Sequence, residues 1–181
     1  MSTLAELQDA IAALATGDVD RSGTPPELPP PLEGLARQDV ARYARGLRAK
    51  RWGEVARALP LSVRAVAGLE ARYLAWLAAH PAPACDGVLP PGLAEALRAL
   101  SDLAGALAAD PGEAAWAGEL YAFEVLRGCA RADGARRQLR AGHAVHDIAR
   151  ELGAGLVPID PPAAPHLYLF EEDRTRIRRL P

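Results

Sequence analysis

The sequence is poor in aromatic residues, which make up 5% of the chain, and it contains a single lysine and no asparagine. Sheet-rich proteins depend on aromatic and β-branched residues, so this scarcity, together with abundant alanine and leucine, argues against a mostly β fold. Arginine supplies almost all of the positive charge, which is typical of a GC-rich bacterial genome. The composition therefore predicts a mainly α protein.

The sequence also lacks the segments that direct proteins into or across membranes. No stretch reaches the roughly 18 consecutive apolar residues that a membrane-spanning helix needs. The first segment, Met1 to Ala15, carries Glu6 and Asp9 and has no basic leader before an apolar run, so we expect no secretory signal. The formal net charge of −2 gives no general attraction to nucleic acid or anionic lipid. We expect a cytoplasmic protein without a membrane partner.

Motifs that carry chemistry are absent as well. The sequence has no Gly-x-Ser-x-Gly and no phosphate-binding glycine loop. The two cysteines, Cys85 and Cys129, match no zinc or redox spacing, allow at most one disulfide, and are expected to be reduced. Cys129 falls on an apolar helix, where we expect it to fill the core. We therefore expect no enzyme activity and no cofactor in this chain alone.

Apolar residues recur at helical spacing in six segments of the chain. The first covers residues 3–15 and is followed by a proline-rich linker over residues 17–34, where the prolines favour an extended conformation. A long second helix is expected from Leu35 to Leu59, with Pro60 as its stop. Its inward stripe is expected to consist of Val40, Tyr43, Leu47, Val55 and Leu59.

Four more helices follow in the prediction. The third begins with Ser62 as its N-cap, and Gly68 is a position where it could break into two helices. The fourth carries an apolar stripe from Leu93 to Leu107. The fifth begins at Asp110, where Pro111 and Glu113 complete the signature of a helix start. The sixth runs from Ala135 to Leu152.

The character of the sequence changes after Gly153. Leu156–Ile159 is β-prone, and His166–Leu180 predicts a β-hairpin whose turn is Glu172-Asp173. The expected fold is thus mainly α, a helical bundle of about five to six helices with a small C-terminal β-hairpin. We expect a helical domain over residues 1–130 and, packed on it, a C-terminal part over residues 131–181 that contains the last helix, the extended segment and the hairpin.

Two polar patterns on the sixth predicted helix could serve other functions. His143 and Asp147 are four residues apart, a spacing that could aim both at one metal ion, but two ligands do not make a site and we assign no metal site. The segment His143–Gly153 has the pattern of a helix-turn-helix. A recognition helix would have to follow it, and the prolines from Pro158 to Pro165 prevent one. Specific DNA recognition is therefore not expected.

Basic residues cluster on the second helix and on the hairpin. Clusters of this kind are commonly solvated, and otherwise fit acidic proteins or nucleic acid. Arg51 stands out because its helical angle places it near the apolar stripe, so it should pair with a carboxylate, be displaced by a bend at Gly53, or face a partner.

The hairpin is where we expect a partner to bind. A terminal hairpin leaves at least one strand edge unpaired, and an extended peptide can add to such an edge as another strand. Arg174, Arg176 and Arg178 alternate and should project from one face towards acidic side chains of the peptide, with Tyr168 offering an aromatic contact. The alternative is a hairpin that only caps the helical core and whose arginines are solvated.

Four stretches carry a pattern known from a protein family. They are residues 4–11, the spacing Tyr43-x3-Leu47-x7-Val55-x3-Leu59-Pro60, the helix end Ala79-His80-Pro81, and the Trp116 helix with Glu119, Leu120 and Glu124. Together they span residues 4–127. The pattern resembles a family of small helical proteins labelled as a DNA-binding domain, whose members include partner subunits of multinuclear non-haem iron-dependent oxidases. The connection over residues 81–91 and the long sixth predicted helix depart from the methanobactin-type members.

The resemblance implies a non-catalytic accessory subunit that binds an iron-dependent oxidase and presents a precursor peptide to it in peptide natural-product biosynthesis. The iron ligands would then belong to the oxidase. Two alternatives stay open, a nucleic-acid-binding regulatory protein and a stand-alone metal protein. A neighbouring gene for an iron oxidase together with one for a short cysteine-rich precursor would favour the accessory subunit.

Overall fold

The structure is a computed structural model that describes residues 37–80 and 87–181. The described residues form seven helices and three strands, and the fold is mainly α with a small C-terminal β element, as predicted. The helices are α1 (Arg37–Ala58), α2 (Pro60–Ala65), α3 (Leu69–Ala79), α4 (Pro91–Arg98), α5 (Leu100–Ala109), α6 (Ala117–Asp133) and α7 (Val145–Gly153). The strands are β1 (Arg137–His143), β2 (Ala163–Phe170) and β3 (Thr175–Arg179).

The chain divides into two compact units. One unit comprises Met1–Gly53 and Ala71–Ala84, and the other comprises Glu54–Glu70 and Cys85–Pro181. In the described part of the first unit, aromatic rings follow one another, with ring centroids 5.8 Å apart for Trp52 and Tyr73 and 6.3 Å for Tyr73 and Trp76. Trp76 also stacks on His80, whose Nδ1 lies 2.8 Å from the carbonyl oxygen of Trp76.

Helix α6 is the centre of the second unit. It packs against α2, α4, α5, α7, β1 and β2, and most of its side chains are buried. Side chains from α6, α7 and the first two strands form one apolar cluster around Phe123. The ring of Phe123 meets Tyr168 and Phe170 edge to face, with centroid separations of 5.3 and 5.4 Å. These contacts seat the sheet on α6.

The three strands form an antiparallel sheet in the order β1-β2-β3. In the pairing of the first two strands Leu139 lies opposite Tyr168, and in the pairing of the last two Tyr168 lies opposite Ile177. Directly opposite residues share a face of a sheet. Leu139, Tyr168 and Ile177 therefore lie on the face that packs on α6, while their sequence neighbours lie on the outer face.

The predicted hairpin is confirmed, because β2 and β3 pair around the turn at residues 171–174. The predicted helix from Ala135 to Leu152 is wrong in its first half. Residues 137–143 form β1 instead, and only Val145–Gly153 is helical. Pairing with β2 supplies the backbone hydrogen bonds of this segment, so tertiary context overrides its helical spacing. The stretch Leu156–Ile159 forms no strand.

Two predicted helix starts are wrong. Asp110 ends α5 rather than beginning the next helix, and its carboxylate accepts a hydrogen bond from the Gly112 N–H at 2.8 Å, which closes a local turn. Ser62 lies inside α2 and is fully buried. The division expected at Gly68 is confirmed, since this residue adopts a φ of +69° between α2 and α3.

The buried stripe of the long helix α1 differs in part from the predicted one. Of the predicted stripe on the long second helix, Val55 and Leu59 are buried as expected, whereas Tyr43 is 57% exposed. Ala41 and Ala44 are buried on that helix instead. Cys129 is fully buried, as predicted.

Three elements of the sequence prediction lie outside the described residues: the helix over residues 3–15, the linker over residues 17–34 and Cys85. Within the described residues, no helix is long and apolar enough to cross a membrane.

Helices α5 and α6 approach each other closely at Gly118. A Cβ atom added there would clash with the carbonyl oxygen of Ala104 and with its carbonyl carbon. Because both are backbone atoms, the clash is relieved only by moving one helix away from the other.

We therefore expect Gly118→Ala to lower the free energy of unfolding by about 1–3 kcal/mol, as overpacking of a core does. Gly105→Ala on α5 is the matched control, because an added Cβ meets nothing within 4 Å there. The control should keep or raise stability by up to about 1 kcal/mol, since alanine favours helix over glycine. Chemical denaturation followed by circular dichroism measures both, and equal effects of the two changes would contradict the close approach.

Candidate peptide-binding edge

Strand β3 is an edge strand whose outward backbone groups can be identified from its register. Hydrogen bonds join Glu171 and Arg174 at one end of the hairpin, at 2.8 and 3.2 Å, and the Leu180 N–H to the Pro165 carbonyl at 2.8 Å at the other. In an antiparallel pair, hydrogen-bonded and non-bonded residue pairs alternate. Arg176 and Arg178 therefore bond to β2. Thr175, Ile177 and Arg179 direct their N–H and C=O groups away from it, to the open edge.

No backbone partner from the described part of the chain occupies this edge. Because these three residues are every second residue of β3, the edge is long enough to pair with an added strand of about five to seven residues. The three side chains of Thr175, Ile177 and Arg179 all lie on the face that packs on the helices, and Ile177 is 44% exposed. A strand added here would continue the sheet and cover this partly exposed isoleucine.

A groove of about 340 Å³ lies on the helix-facing side of this edge. Phe123 of α6 is its buried floor, and Thr175 and Ile177 form the wall on the strand side. The remaining lining residues come from three helices: Leu61, Arg127, His146, Ala149 and Arg150. The groove therefore combines apolar surface with two arginines.

The outer face of the sheet is basic. Arg176 and Arg178 lie on it within β3, opposite Leu169 and Leu167 of β2, and both arginines are exposed. Arg174 lies in the turn rather than in the strand and is also exposed. Among the acidic groups of the turn, Glu171 contacts Arg176 at 3.4 Å and Arg136 at 3.0 Å. The neighbouring Glu172 and Asp173 are exposed.

Tyr168 does not offer the aromatic surface contact that the sequence predicted. The residue is fully buried, because its position in the strand places it on the face that packs on Phe123. Its hydroxyl lies 2.9 Å from Nδ1 of His146. Burial raises the pKa of Tyr168 and lowers the pKa of His146, so we assign a neutral imidazole whose Nδ1 accepts a hydrogen bond from the Tyr168 hydroxyl. Tyr168 thus orients the histidine on the wall of the groove.

Helix α2, which brings Leu61 to the groove, is attached to α6 through Glu124. The carboxylate of Glu124 accepts hydrogen bonds from the Leu61 N–H at 3.0 Å and from the N–H and hydroxyl of Ser62, both at 2.6 Å. Burial raises the pKa of Glu124, and these hydrogen bonds act in the opposite direction. Arg64 of α2 also donates to the carbonyl of Leu152 at the end of α7. These bonds fix α2 relative to the other two helices of the groove.

Arg127 lies one turn beyond Phe123 on α6. Its guanidinium carbon is 5.9 Å from the centre of the Phe123 ring. Its Nε atom is buried and has no hydrogen-bond partner, and no ion pair with a carboxylate of the described residues is formed. The other groove arginine, Arg150, contacts Asp147 at 2.7 Å.

The residues considered for metal binding serve as structural contacts. His143 lies on β1, not on a helix with Asp147. The carboxylate of Glu119 accepts hydrogen bonds from the Gly142 and His143 N–H groups at 2.7 and 3.1 Å and contacts the His143 ring at 3.0 Å. Over residues 37–80 and 87–181, no three His, Cys, Asp or Glu side chains are grouped so that they could hold a metal ion.

The candidate residues do not all meet at one place. The three hairpin arginines lie together beside the open edge. Arg51 lies on α1 in the first unit and is half-buried there, so it is not assigned to the hairpin site. Three residues of this candidate site, Phe123, Arg127 and Ile177, were not predicted as such from the sequence. One signal was available, since Arg127 follows Phe123 by four residues and therefore shares its apolar stripe.

We expect Glu124→Ala to destabilise the protein by about 3 kcal/mol, because three donors of α2 lose their acceptor and each costs about 1 kcal/mol or more when left unsatisfied. Glu70→Ala, at an exposed position on α3, is the control and should change stability by less than about 0.5 kcal/mol. Urea unfolding of both variants gives the comparison. A loss in Glu124→Ala as small as in the control would show that α2 is held by other contacts.

Comparisons with known proteins assign no family to the chain. No protein-family model, no curated protein and no solved structure matches it. The grounds for a functional proposal are therefore the geometry of the hairpin edge and the resemblance found in the sequence.

Proposed function

We propose that this chain is a non-catalytic accessory subunit that binds an extended peptide at the open edge of β3 and presents it to an iron-dependent oxidase. The peptide is the precursor of a natural product, and the complex forms in the cytoplasm of a bacterium. The iron and its ligands belong to the oxidase. The observation that carries the proposal is the row of outward backbone groups at Thr175, Ile177 and Arg179.

The edge supports peptide binding because main-chain hydrogen bonds give affinity for any extended segment, whatever its sequence. Proteins with exposed edges usually blunt them with charges, prolines or bulges, since an open edge invites aggregation. On β3, Arg176 and Arg178 lie on the outer face, while Ile177 and the groove lie on the other, where the only arginine of the strand is Arg179 at its end. The two faces thus offer an added strand different side-chain environments.

The charge of the outer face supports an acidic partner. Arg174, Arg176 and Arg178 are exposed, and a complementary negative surface would speed encounter and select the partner. A second exposed apolar surface lies in the connection between α7 and β2, where Leu156, Val157 and Ile159 are 61%, 66% and 93% exposed. Clustered exposed apolar side chains mark protein contacts, and this connection is a suitable contact for the oxidase.

The family resemblance supports the same assignment from the sequence. Two residues of the pattern, Glu119 and Glu124, hold β1 and α2 in place around the groove. Part of the pattern therefore coincides with the framework of the proposed site rather than with a DNA-reading helix. The segment after α7 contains no helix that could act as a recognition helix.

The proposal is tested by Ile177→Pro, which removes an outward N–H and keeps the bonds of Arg176 and Arg178 to β2. Proline is tolerated on edge strands for this reason. We expect the variant to lose most of its affinity for the precursor peptide encoded beside an iron-oxidase gene, measured by calorimetry. Ile177→Val keeps the N–H and most of the apolar side chain, and should bind within about threefold of the original chain.

Circular dichroism of both variants checks that the fold is retained. Equal affinity of Ile177→Pro and Ile177→Val for the peptide would exclude the edge as the binding site. Failure of the unaltered chain to recover peptide or oxidase on co-expression at low salt would overturn the accessory-subunit assignment. A sequence-selective DNA complex that survives about 0.2 M salt would instead favour the regulatory alternative, because nonspecific contacts weaken steeply in that range.

A further inference from the structure

We infer that Arg127 is a specificity residue that binds an acidic side chain of the peptide inside the groove. This inference rests on the proposed function, because it takes the peptide to add to the edge of β3. The inference also narrows the class of peptide: an extended segment that carries a carboxylate on the face that it turns towards the helices.

No carboxylate of the described residues pairs with Arg127 at ion-pair distance, and Glu124 acts on it only through its charge. A guanidinium has five N–H donors in a fixed fork that matches a carboxylate. The Nε donor of Arg127 is buried without a partner, and a buried donor left unsatisfied costs free energy. The nearest acid on the same helix, Glu124, already accepts three hydrogen bonds from α2. A carboxylate of the peptide would give the guanidinium in the groove lining the hydrogen-bonded partner that no described residue supplies.

Strand pairing also fixes the direction of the added strand's side chains. Directly opposite residues of neighbouring strands share a face. A peptide residue opposite Ile177 therefore points to the helix-facing side, where Arg127 and Phe123 line the groove. The next peptide residue, opposite Arg176 or Arg178, points to the outer face. Side chains two residues apart thus enter the same environment.

Two arginines, Arg127 and Arg150, and no acidic side chain of the described residues line the groove. Asp147, which follows the lining residue His146, contacts Arg150 at 2.7 Å and lies 3.7 Å from the His146 ring. Burial lowers the pKa of Arg127, the charge of Arg131 one turn away acts in the same direction, and the charge of Glu124 acts in the opposite direction. The groove is therefore positive on balance, while Phe123, Leu61 and Ile177 offer apolar contact beside the charge. An acidic residue accompanied by an aliphatic one fits both features.

The test selects peptides without assuming their sequence. A library of random seven-residue peptides displayed on phage is selected on the immobilised full chain, on Arg127→Gln and on Arg131→Gln. Arg131 is exposed and does not line the groove, so it is the matched control. We expect alternating peptides from the full chain and from Arg131→Gln, with acids at the outer-face positions and at one helix-facing position. Selection on Arg127→Gln should lose only the helix-facing acid.

A double-mutant cycle then measures the contact directly. The best selected peptide, and its version with glutamine at the helix-facing acid, are titrated against the full chain and Arg127→Gln by fluorescence anisotropy. We expect each single change to weaken binding about tenfold or more, as loss of a charge-assisted hydrogen bond does, and the second change to add little. Circular dichroism confirms that Arg127→Gln is folded.

The outcomes separate the two proposals. Alternating peptides that bind the full chain and Arg127→Gln equally, or additive effects in the cycle, would overturn the role of Arg127 and leave the peptide-binding function standing. Failure to enrich any peptide on the full chain would overturn both.

Discussion

The contact of Phe123 with Tyr168 and Phe170 is the interaction on which the rest of the second unit depends. It is edge-to-face on both rings, at 5.3 and 5.4 Å, an arrangement that aromatic pairs favour. Since β2 is the central strand, anchoring it on α6 also fixes β1 on one side and β3 on the other. The anchor leaves β3 supported through β2, with its outer edge open. The same phenylalanine forms the floor of the groove beneath that edge.

Carboxylates of α6 position the other walls. Glu119 binds the end of β1, and Glu124 binds the beginning of α2. At each of these two junctions the carboxylate takes the place of a backbone acceptor for the N–H groups. This satisfied hydrogen bonding explains why both acids are tolerated in a largely buried helix. With Phe123 and Arg127, these residues occupy successive turns of one helix. Helix α6 therefore contributes the framework, the floor and the charge of the proposed peptide site.

The fold class and the hairpin could be predicted from the sequence because both depend on local patterns. Alternating residues around an acidic turn specified β2 and β3. Strand β1 could not be predicted, because residues 137–143 share helical spacing with α7 and only pairing with β2 decides their conformation. The apparent helix start at Asp110 failed for a related reason, since the aspartate closes its own turn with Gly112.

Part of the geometry of the proposed site could be predicted from the sequence. The alternation of Arg176 and Arg178 predicted a basic face. Whether Tyr168 is buried or exposed could not be predicted, because the sequence does not show which face of the sheet α6 covers. Arg127 was missed because an arginine within an apolar helix is commonly solvated. Its position four residues after Phe123 indicates a groove residue only once the structure shows that α2 and β3 line the same groove.

The central claim, that β3 accepts another strand, is tested most directly by amide hydrogen exchange followed residue by residue with NMR. The full chain is compared with and without a bound precursor peptide. We expect the amides of Thr175 and Ile177, and of Arg179 if the peptide reaches it, to become protected about tenfold or more, because their N–H groups gain acceptors. Arg176 and Arg178, already bonded to β2, should change much less. Peptide binding without added protection at Thr175 and Ile177, or with equal protection along the whole strand, would contradict strand addition.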